Sequence, residues 1–513
     1  MDKPLQKIIG FAISTLGSRA LGYFRDILIF ASFGANALGS AFIIAFTLPN
    51  LFRRISGEGA LTTALLPVLN QEKLKGERKI WGLLDTLLKP LTIFLGGFSL
   101  FIILILLVIY SCLDIEVERY HHALILSAIL FPYLFLVSLA AILNTTLQTF
   151  NRFSFTGLSP IWLNLSMIVS IGGIGYYMSK DPWTWVLCLC FGVLFGGFIQ
   201  VLLPFLALNK IGWHQHPNPL NPSALTDVKT LFIPSLWGAG ILQINSMFSR
   251  LLAFMIDDAA VAVLFIANRL VEFPLGVFGV AISTIFFQKM AEKKVNGDTT
   301  GLVKDFMEGI LLILKISLPA MVGLAILAEP LIHLTFTWGA FQKADAIATS
   351  RILQVLCLSI PSYAISSFLT RYFHANQDTK TPVLIAWWSF LINISISLVL
   401  IPFFGVLGLA VANVVSSGYQ AISLLQKILK TPAFLDFSVW KKVPLLRISL
   451  IVLIMALLVW LWNEAIFHLV GDLTKITLFV QVFGGVVLGS LIYFTLSHVV
   501  GISIVKNQNS RLA

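Results

Sequence analysis

Apolar residues run through most of this chain in blocks of about 20 or more, and the polar positions between them come in short bursts. That is the pattern of membrane spans rather than of amphipathic surface helices. A spanning helix needs about 20 mostly apolar residues, each rising about 1.5 Å. On that criterion the pattern predicts about fourteen spans, at roughly 8–31, 40–70, 86–111, 122–148, 158–178, 184–208, 230–256, 260–288, 308–336, 351–375, 382–402, 406–430, 446–468 and 475–499. The second, fourth and eighth are long and interrupted by polar residues, which predicts tilted or broken helices. The expected fold class is an all-α polytopic membrane protein.

Composition agrees. Of 513 residues, 58% are hydrophobic and only 12% charged, with a mean hydropathy of +0.90. An average soluble chain is about 45–50% apolar and about 25% charged, so a soluble enzyme and a disordered chain are both excluded. The net charge of +11 does not indicate nucleic acid, because the basic residues punctuate apolar segments instead of forming a polar basic face. They are distributed unevenly between alternate loops, about 21 on one side and about 5 on the other, which places both termini in the cytoplasm. Arg19 and Arg25 interrupt the first apolar stretch, so it reads as an uncleaved helix rather than a signal peptide. The four cysteines, Cys112, Cys188, Cys190 and Cys357, read as small core residues, with neither a disulfide framework nor a metal site.

A weak internal repeat divides the chain. Ile44, Ala45, Leu48, Gly57 and Thr62 recur as Ile266, Ala267, Leu270, Gly279 and Thr284. Pro132, Gln148, Asn164 and Ser166 line up with Pro361, Gln377, Asn393 and Ser395. Six helices per half return the chain to its starting side, as in parallel-repeat transporters. The expected organisation is an N-terminal lobe at 1–210, a cytoplasmic linker at 211–229, a C-terminal lobe at 230–430, and two further helices with a tail at 431–513.

Several cations fall where lipid should be. Lys89 and Lys315 can snorkel, but Arg19, Arg53, Arg54 and Arg269 lie deep. Facing lipid, four arginines would cost about 10–14 kcal/mol at about 2.5–3.5 each, as much as a whole fold's stability of about 5–15 kcal/mol. They must face partners or water. Helical spacing offers local pairs in Arg54 with Glu58, Arg269 with Glu272 and Arg19 with Asp26, while Arg25 and Arg53 have no evident carboxylate on their own face. Arg250 either contacts a ligand or pairs with Asp257. A cluster left net cationic suits an anionic ligand, and guanidinium suits bidentate contact with phosphate. Pro49 and Gly57 in one half, and Pro274 and Gly279 in the other, are candidate hinges, since broken helices at matching positions mark transport sites.

Enzyme motifs are missing: there is no His-Glu-x-x-His, no P-loop, no Gly-x-Ser-x-Gly and no acidic metal pair. His121 and His122 read as interfacial belt residues. What the chain does carry is Ser18-Arg19-Ala20-Leu21-Gly22-Tyr23-Phe24-Arg25-Asp26, Phe33-Gly34-Ala35, and Ala45-Phe46-Thr47-Leu48-Pro49-Asn50-Leu51-Phe52-Arg53-Arg54 followed by Gly57-Glu58-Gly59-Ala60. Further on come Phe131-Pro132-Tyr133, Leu163-Asn164-Leu165-Ser166, Ala267-Asn268-Arg269-Leu270-Val271-Glu272-Phe273-Pro274, Gly276-Val277-Phe278-Gly279-Val280-Ala281 and Ala375-Asn376-Gln377-Asp378-Thr379-Lys380-Thr381-Pro382. In that order they resemble the MurJ (MviN) lipid II flippases of the MOP exporter superfamily, over about the first 430 residues.

The resemblance implies fourteen helices, with two six-helix lobes around a cationic cavity and two C-terminal helices forming a groove for the lipid tail. It implies that lipid II, the undecaprenyl-pyrophosphate-linked peptidoglycan precursor, moves from the inner to the outer leaflet by alternating access in the bacterial cytoplasmic membrane, for cell wall synthesis. Arg19, Arg25, Arg53 and Arg269 stand at the family's substrate arginines, with Asp26, Arg54, Glu58, Arg250 and Glu272 in supporting or coupling positions. No cofactor or metal is implied; the energy source would be the membrane potential or an H+ or Na+ gradient. The partners implied are the lipid substrate and the cell wall synthesis machinery, with the chain itself a monomer. Two departures stand out: Ser40 where the family usually has aspartate, and Gln243 to Arg250 where some relatives carry a cation-site residue. The rival readings are an exporter of another lipid-linked oligosaccharide, a membrane enzyme acting on polyprenyl phosphates, and a non-transporting scaffold.

Overall fold

The protein was analysed as a computed structural model that describes residues 3–57, 60–112, 116–178, 181–213, 222–431, 434, 444–470 and 474–502, without the side chains of 3–16, 54–57, 60, 233–239, 241–242, 277–278, 280–281 and 470. The regular structure among these residues is helical throughout. The first half contains α1 (Lys3–Phe33), α2 (Ala37–Gly57), α3 (Ala60–Leu74), α4 (Glu77–Cys112), α5 (Glu118–Leu130), α6 (Pro132–Thr149), α7 (Phe153–Ile168), α8 (Tyr176–Met178), α9 (Pro182–Ile211) and α10 (Pro222–Ile256). The second half contains α11 (Ala260–Pro274), α12 (Val280–Val295), α13 (Thr299–Ile326), α14 (Ala328–Thr335), α15 (Lys343–Cys357), α16 (Ile360–Ala375), α17 (Lys380–Phe404), α18 (Val406–Leu429), α19 (Leu445–Val470) and α20 (Lys475–Val499).

The expected broken spans are broken for identifiable reasons. Pro132 opens α6 because it has no N–H to continue α5. The second span is divided into α2 and α3, with Pro49 inside α2. In the eighth, Pro274 ends α11 and a π-helical turn, Leu275–Gly279, leads into α12. A second π-helical segment, Val169–Gly175, interrupts the fifth span and was not foreseen; its Gly172, Gly173 and Gly175 make the wider turn cheap to adopt.

Among the described residues nine helices are long and apolar enough to cross a membrane, and the pair α15 and α16, bent by 44°, makes a tenth. The expected spans outside that set are the first, second, seventh and eighth. These are the spans that carry Arg19, Arg25, Arg53, Arg54, Arg250 and Arg269. Apolar length among the described residues therefore gives a smaller number than about fourteen, and each of those four spans includes residues or side chains outside the described set. One cysteine departs from expectation: Cys112, at the end of α4, is exposed, whereas Cys190 and Cys357 are buried.

The chain forms two compact units, residues 1–262 with 338–341, and residues 263–337 with 342–513. In the first, Leu65, Leu69, Trp81, Leu84, Leu147 and Leu208 form a dry core where α3, α4, α6 and α9 meet. Trp213 closes it, donating its indole N–H to Asp85 at 3.0 Å. The segment Trp338–Phe341 belongs to this unit because it is built onto the end of α1. Ala340 N–H donates to Ala31 O at 2.8 Å, and Phe341 meets Phe30 edge-on at 6.1 Å. Gly34 has φ +71°, and a Cβ there would lie 2.6 Å from the Ala340 carbonyl oxygen, so only glycine fits.

The second unit has an aromatic core in which Phe306 packs against Phe368, Tyr372 and Phe434 with centroids 4.7–5.5 Å apart. A separate cluster, including Leu327, Ile451, Met455 and Tyr493, joins α13, α19 and α20. Lys475, at the start of α20, donates to the carbonyls of His333 at 2.6 Å and Thr337 at 2.8 Å. It thereby satisfies the carbonyl end of α14, where the helix dipole favours a cation.

Candidate functional site

Within the first unit the sequence-predicted arginines have three different environments. Arg25 is nearly enclosed, its side chain 11% exposed. Its Nε and Nη2 donate to Asp26 Oδ1 at 3.0 and 2.6 Å, and its Nη1 donates to Asn164 Oδ1 at 2.8 Å. This corrects two sequence expectations: Asp26 is the partner of Arg25 rather than of Arg19, and Arg25 does have a carboxylate. Adjacent residues on a helix point apart at Cβ, but the long arginine stem folds back far enough to close the pair. Arg53 is half-buried and its Nε donates to Asn50 Oδ1 at 2.9 Å, one helical turn away. Arg19 is exposed.

Two residues of other helices organise these charges. Asn164 on α7 is 6% exposed and uses both ends of its amide on α1, accepting from Arg25 and donating to Ser18 O at 3.1 Å. Tyr133 on α6 is fully buried, and its hydroxyl feels the charges of both Arg25 and Arg53. Its seat depends on Gly197 of α9, where a Cβ would come within 2.7 Å of the tyrosine ring. Sequence reasoning placed Asn164 and Tyr133 in motifs without assigning them a task; the Asn164–Asn393 repeat was the available signal.

Arg250 on α10 donates to Thr47 Oγ1 of α2 at 3.1 Å. Asp257, the alternative partner, is committed to capping the N–H groups of Ala259 and Ala260 at 2.8 and 2.7 Å. Ser40, the departure from the family pattern, donates to the carbonyl of Asp258, and Arg119 pairs with the Asp258 carboxylate at 3.0 Å. The histidines behave as an aromatic belt, His121 against Tyr110 at 4.4 Å and His122 against Trp183 at 4.9 Å. Glu58 lies outside the described residues, as does the side chain of Arg54.

In the second unit Arg269 and Glu272 approach to 3.7 Å with side chains 29% and 48% exposed. That spacing across one helical turn and that exposure make a weak, solvated pair. Behind it Tyr363 donates to Asn413 Oδ1 at 2.9 Å, and Asn393 donates to Ser416 Oγ at 3.0 Å. Pro274 and Gly279, the hinge candidates of this half, bracket the π-helical turn. Among the described residues no three histidine, cysteine or acidic side chains come together as a metal-binding group.

A multi-span helical bundle whose broken, charge-bearing helices hold solvated arginines is the architecture of a membrane transporter. Comparison with known proteins specifies which. The family model described as "Lipid II flippase MurJ" matches residues 29–479, and the chain belongs to that family of flippases. It is 29% identical over 517 residues to the probable lipid II flippase MurJ of Buchnera aphidicola subsp. Acyrthosiphon pisum, covering 98% of both chains. It is 30% identical over 424 residues to that of Vibrio cholerae, covering 79% of this chain and 78% of the relative. A solved structure of lipid II flippase MurJ in an inward closed conformation superposes with a TM-score of 0.75 at 26% identity, covering 96% of this chain and 98% of that one. An inward-facing multidrug resistance MATE transporter of the MOP superfamily shares the fold at a TM-score of 0.65 and 14% identity, over 83% of this chain and 99% of that one.

Proposed function

We propose that this protein moves lipid II, the polyprenyl-pyrophosphate-linked peptidoglycan precursor, from the inner to the outer leaflet of the bacterial cytoplasmic membrane by alternating access. Family membership supplies the cargo class, and the observation that carries the mechanism is the unequal treatment of the arginines. Arg25 is clamped by Asp26 and Asn164, so its guanidinium is fixed in place with its charge offset by the carboxylate. Arg53 is half-buried with its Nε donating to Asn50, and Arg19 is exposed. Arg19, Arg53 and the partly exposed Arg269 are the guanidinium groups assigned to the pyrophosphate, which suits bidentate contact.

Glu272, and Glu58 by its place in the motif, act as competing local partners that release an arginine when the anion arrives, and Arg250 adds positive field. The ligand must bind the two states with different affinity, since equal affinity shifts no population. Pro49, Gly57, Pro274 and Gly279 serve as hinges, a role supported by the π-helical turn beside Pro274. The chain works as a monomer in two six-helix lobes, 1–210 and 230–430, joined by the 211–229 linker, with 431–513 accommodating the lipid tail. Both termini are cytoplasmic in this reading, which the uneven loop charges support.

The test is replacement of the host's own copy by Arg53→Ala, with lipid II exposure at the outer leaflet as the readout. The expected result is an inserted protein, lipid II accumulating inside and none exposed outside. Normal exposure would refute the assignment. Loss of a different lipid-linked oligosaccharide from the outer leaflet, with lipid II unaffected, would reassign the cargo.

A further inference from the structure

The translocation described above makes no use of a cavity of about 120 Å³ between α7 and α9. Phe155, Leu158 and Trp162 line it from α7, and Leu203 and Pro204 from α9. Positions 155, 158 and 162 share one helical face, so the wall is a continuous apolar stripe about 10 Å long by helix rise. Its one amide side chain is already engaged: Gln200 Nε2 donates to Ser159 O at 2.7 Å and its Oε1 accepts from the Tyr133 hydroxyl at 3.4 Å, which leaves the Ser159 hydroxyl and the Trp162 indole N–H as the other polar side-chain groups of a mainly apolar lining. Water needs two to four polar partners to occupy such a space, so this cavity suits hydrocarbon. Leu158 is 37% exposed, which opens the slot sideways towards lipid.

Charge selects the occupant. Phe155 lies in the first turn of α7, directly after Arg152, and α9 ends at Ile211, directly after Lys210. The Gln200–Ser159 contact sets the two helices antiparallel, so Arg152 and Lys210 leave the bundle at the same end of the slot. Arg152 is seven residues from that contact and Lys210 ten, about 10–15 Å along the helices. Half of a hydrocarbon core about 30 Å thick is the same distance. Both cations are exposed, and no side-chain ion pair or hydrogen bond engages either among the described residues.

We propose that this slot binds one acyl chain of an anionic glycerophospholipid, whose phosphate sits at Arg152 and Lys210. The site is separate from the arginines assigned to the cargo, and occupying it would brace α7, the helix from which Asn164 holds Arg25.

The experiment is native mass spectrometry of the purified full chain, titrated with palmitoyl-oleoyl phosphatidylglycerol or phosphatidylcholine. Each cation near an anionic headgroup is worth about a fivefold gain in affinity, so wild type should prefer phosphatidylglycerol about 25-fold at low salt. Arg152→Ala/Lys210→Ala, at exposed positions that carry no packing, should bring the two lipids level, and Leu158→Trp, which fills the slot from its lipid side, should remove the tight adduct. Lys427→Ala/Lys430→Ala takes the same charge from the second unit and should change nothing. Equal binding of the two lipids by wild type, or unchanged phosphatidylglycerol binding in both slot variants, would overturn the proposal. So would displacement of the adduct by undecaprenyl phosphate at lower concentration, which would make the slot a polyprenyl site.

Discussion

Asn164→Leu tests whether Arg25 is held in place or merely present. The substitution keeps the side-chain volume while deleting both hydrogen bonds of the amide: the acceptor for Arg25 Nη1 at 2.8 Å and the donor to Ser18 O at 3.1 Å. A hydrogen bond to a charged group contributes about 1.5–3 kcal/mol and a neutral one about 0.5–1.5, so the loss is about 2–4 kcal/mol. Asp26 still holds the Nε and Nη2 edge, which means Arg25 stays charged and partnered but free to swing. The expected outcome is a lower melting temperature in detergent together with reduced lipid II exposure in cells. Asn164→Asp separates the two effects. It keeps an acceptor for Arg25, loses the donor to Ser18 O and adds a second carboxylate beside Asp26, so it should cost less stability than Asn164→Leu and still impair translocation. Wild-type melting and wild-type exposure in Asn164→Leu would refute the claim that α7 positions this arginine.

Three further outcomes follow from local geometry. Gly197→Val should destabilise the first unit by about 1–3 kcal/mol through overpacking against the Tyr133 ring, read as a fall in melting temperature; no change would mean the ring can move aside. Gly34→Ala meets both a left-handed backbone and the Ala340 carbonyl, and should release the Trp338–Phe341 segment, seen as faster amide exchange there with little change elsewhere. Outside the spans, the Gly301 N–H and the Lys293 ammonium hold the Asp298 carboxyl below its usual range. A depressed carboxylate stabilises fully above its unfolded pKa and loses that contribution as pH falls through the folded value. Local exchange at the start of α13 should therefore rise under strong acid, and Asp298→Asn should remove that pH dependence; its persistence would place the transition elsewhere.

The architecture was legible in the sequence wherever apolar blocks were long and uninterrupted, as in α4, α9, α13, α19 and α20. It was legible again at Pro274, because a missing N–H limits a helix in any context. The π-helical segment at Val169–Gly175 was not, since Ser170, Gly172 and Gly173 sit within an apolar run whose periodicity reads as ordinary helix. The site was legible as a set of residues and illegible as a set of partners. Helical spacing rules count side chains on one face, three, four or seven apart, so they assigned Asp26 to Arg19 and left Arg25 unpaired. The actual pair uses chain neighbours, and the second partner, Asn164, comes from a helix 139 residues later, a contact that no local rule can reach.

Those misassigned partners bear on how the arginine-bearing spans hold their charge. A guanidinium on a regular, lipid-facing helix costs about 2.5–3.5 kcal/mol, and burying it in a tight pair returns little net stability. A transporter of an anion needs neither extreme. It needs arginines partly satisfied by neutral groups, which lower the cost of holding the charge without cancelling it. Asn164 on Arg25, Asn50 on Arg53 and Thr47 on Arg250 are all neutral acceptors. Asp26 offsets one charge within the first unit, and it engages Arg25, the arginine that is most deeply clamped, rather than the exposed Arg19. Replacing Asn50 by aspartate should therefore stabilise Arg53 and impair transport together. Improved melting with unimpaired lipid II exposure would mean that the positive charge of Arg53 is not what the cargo reads.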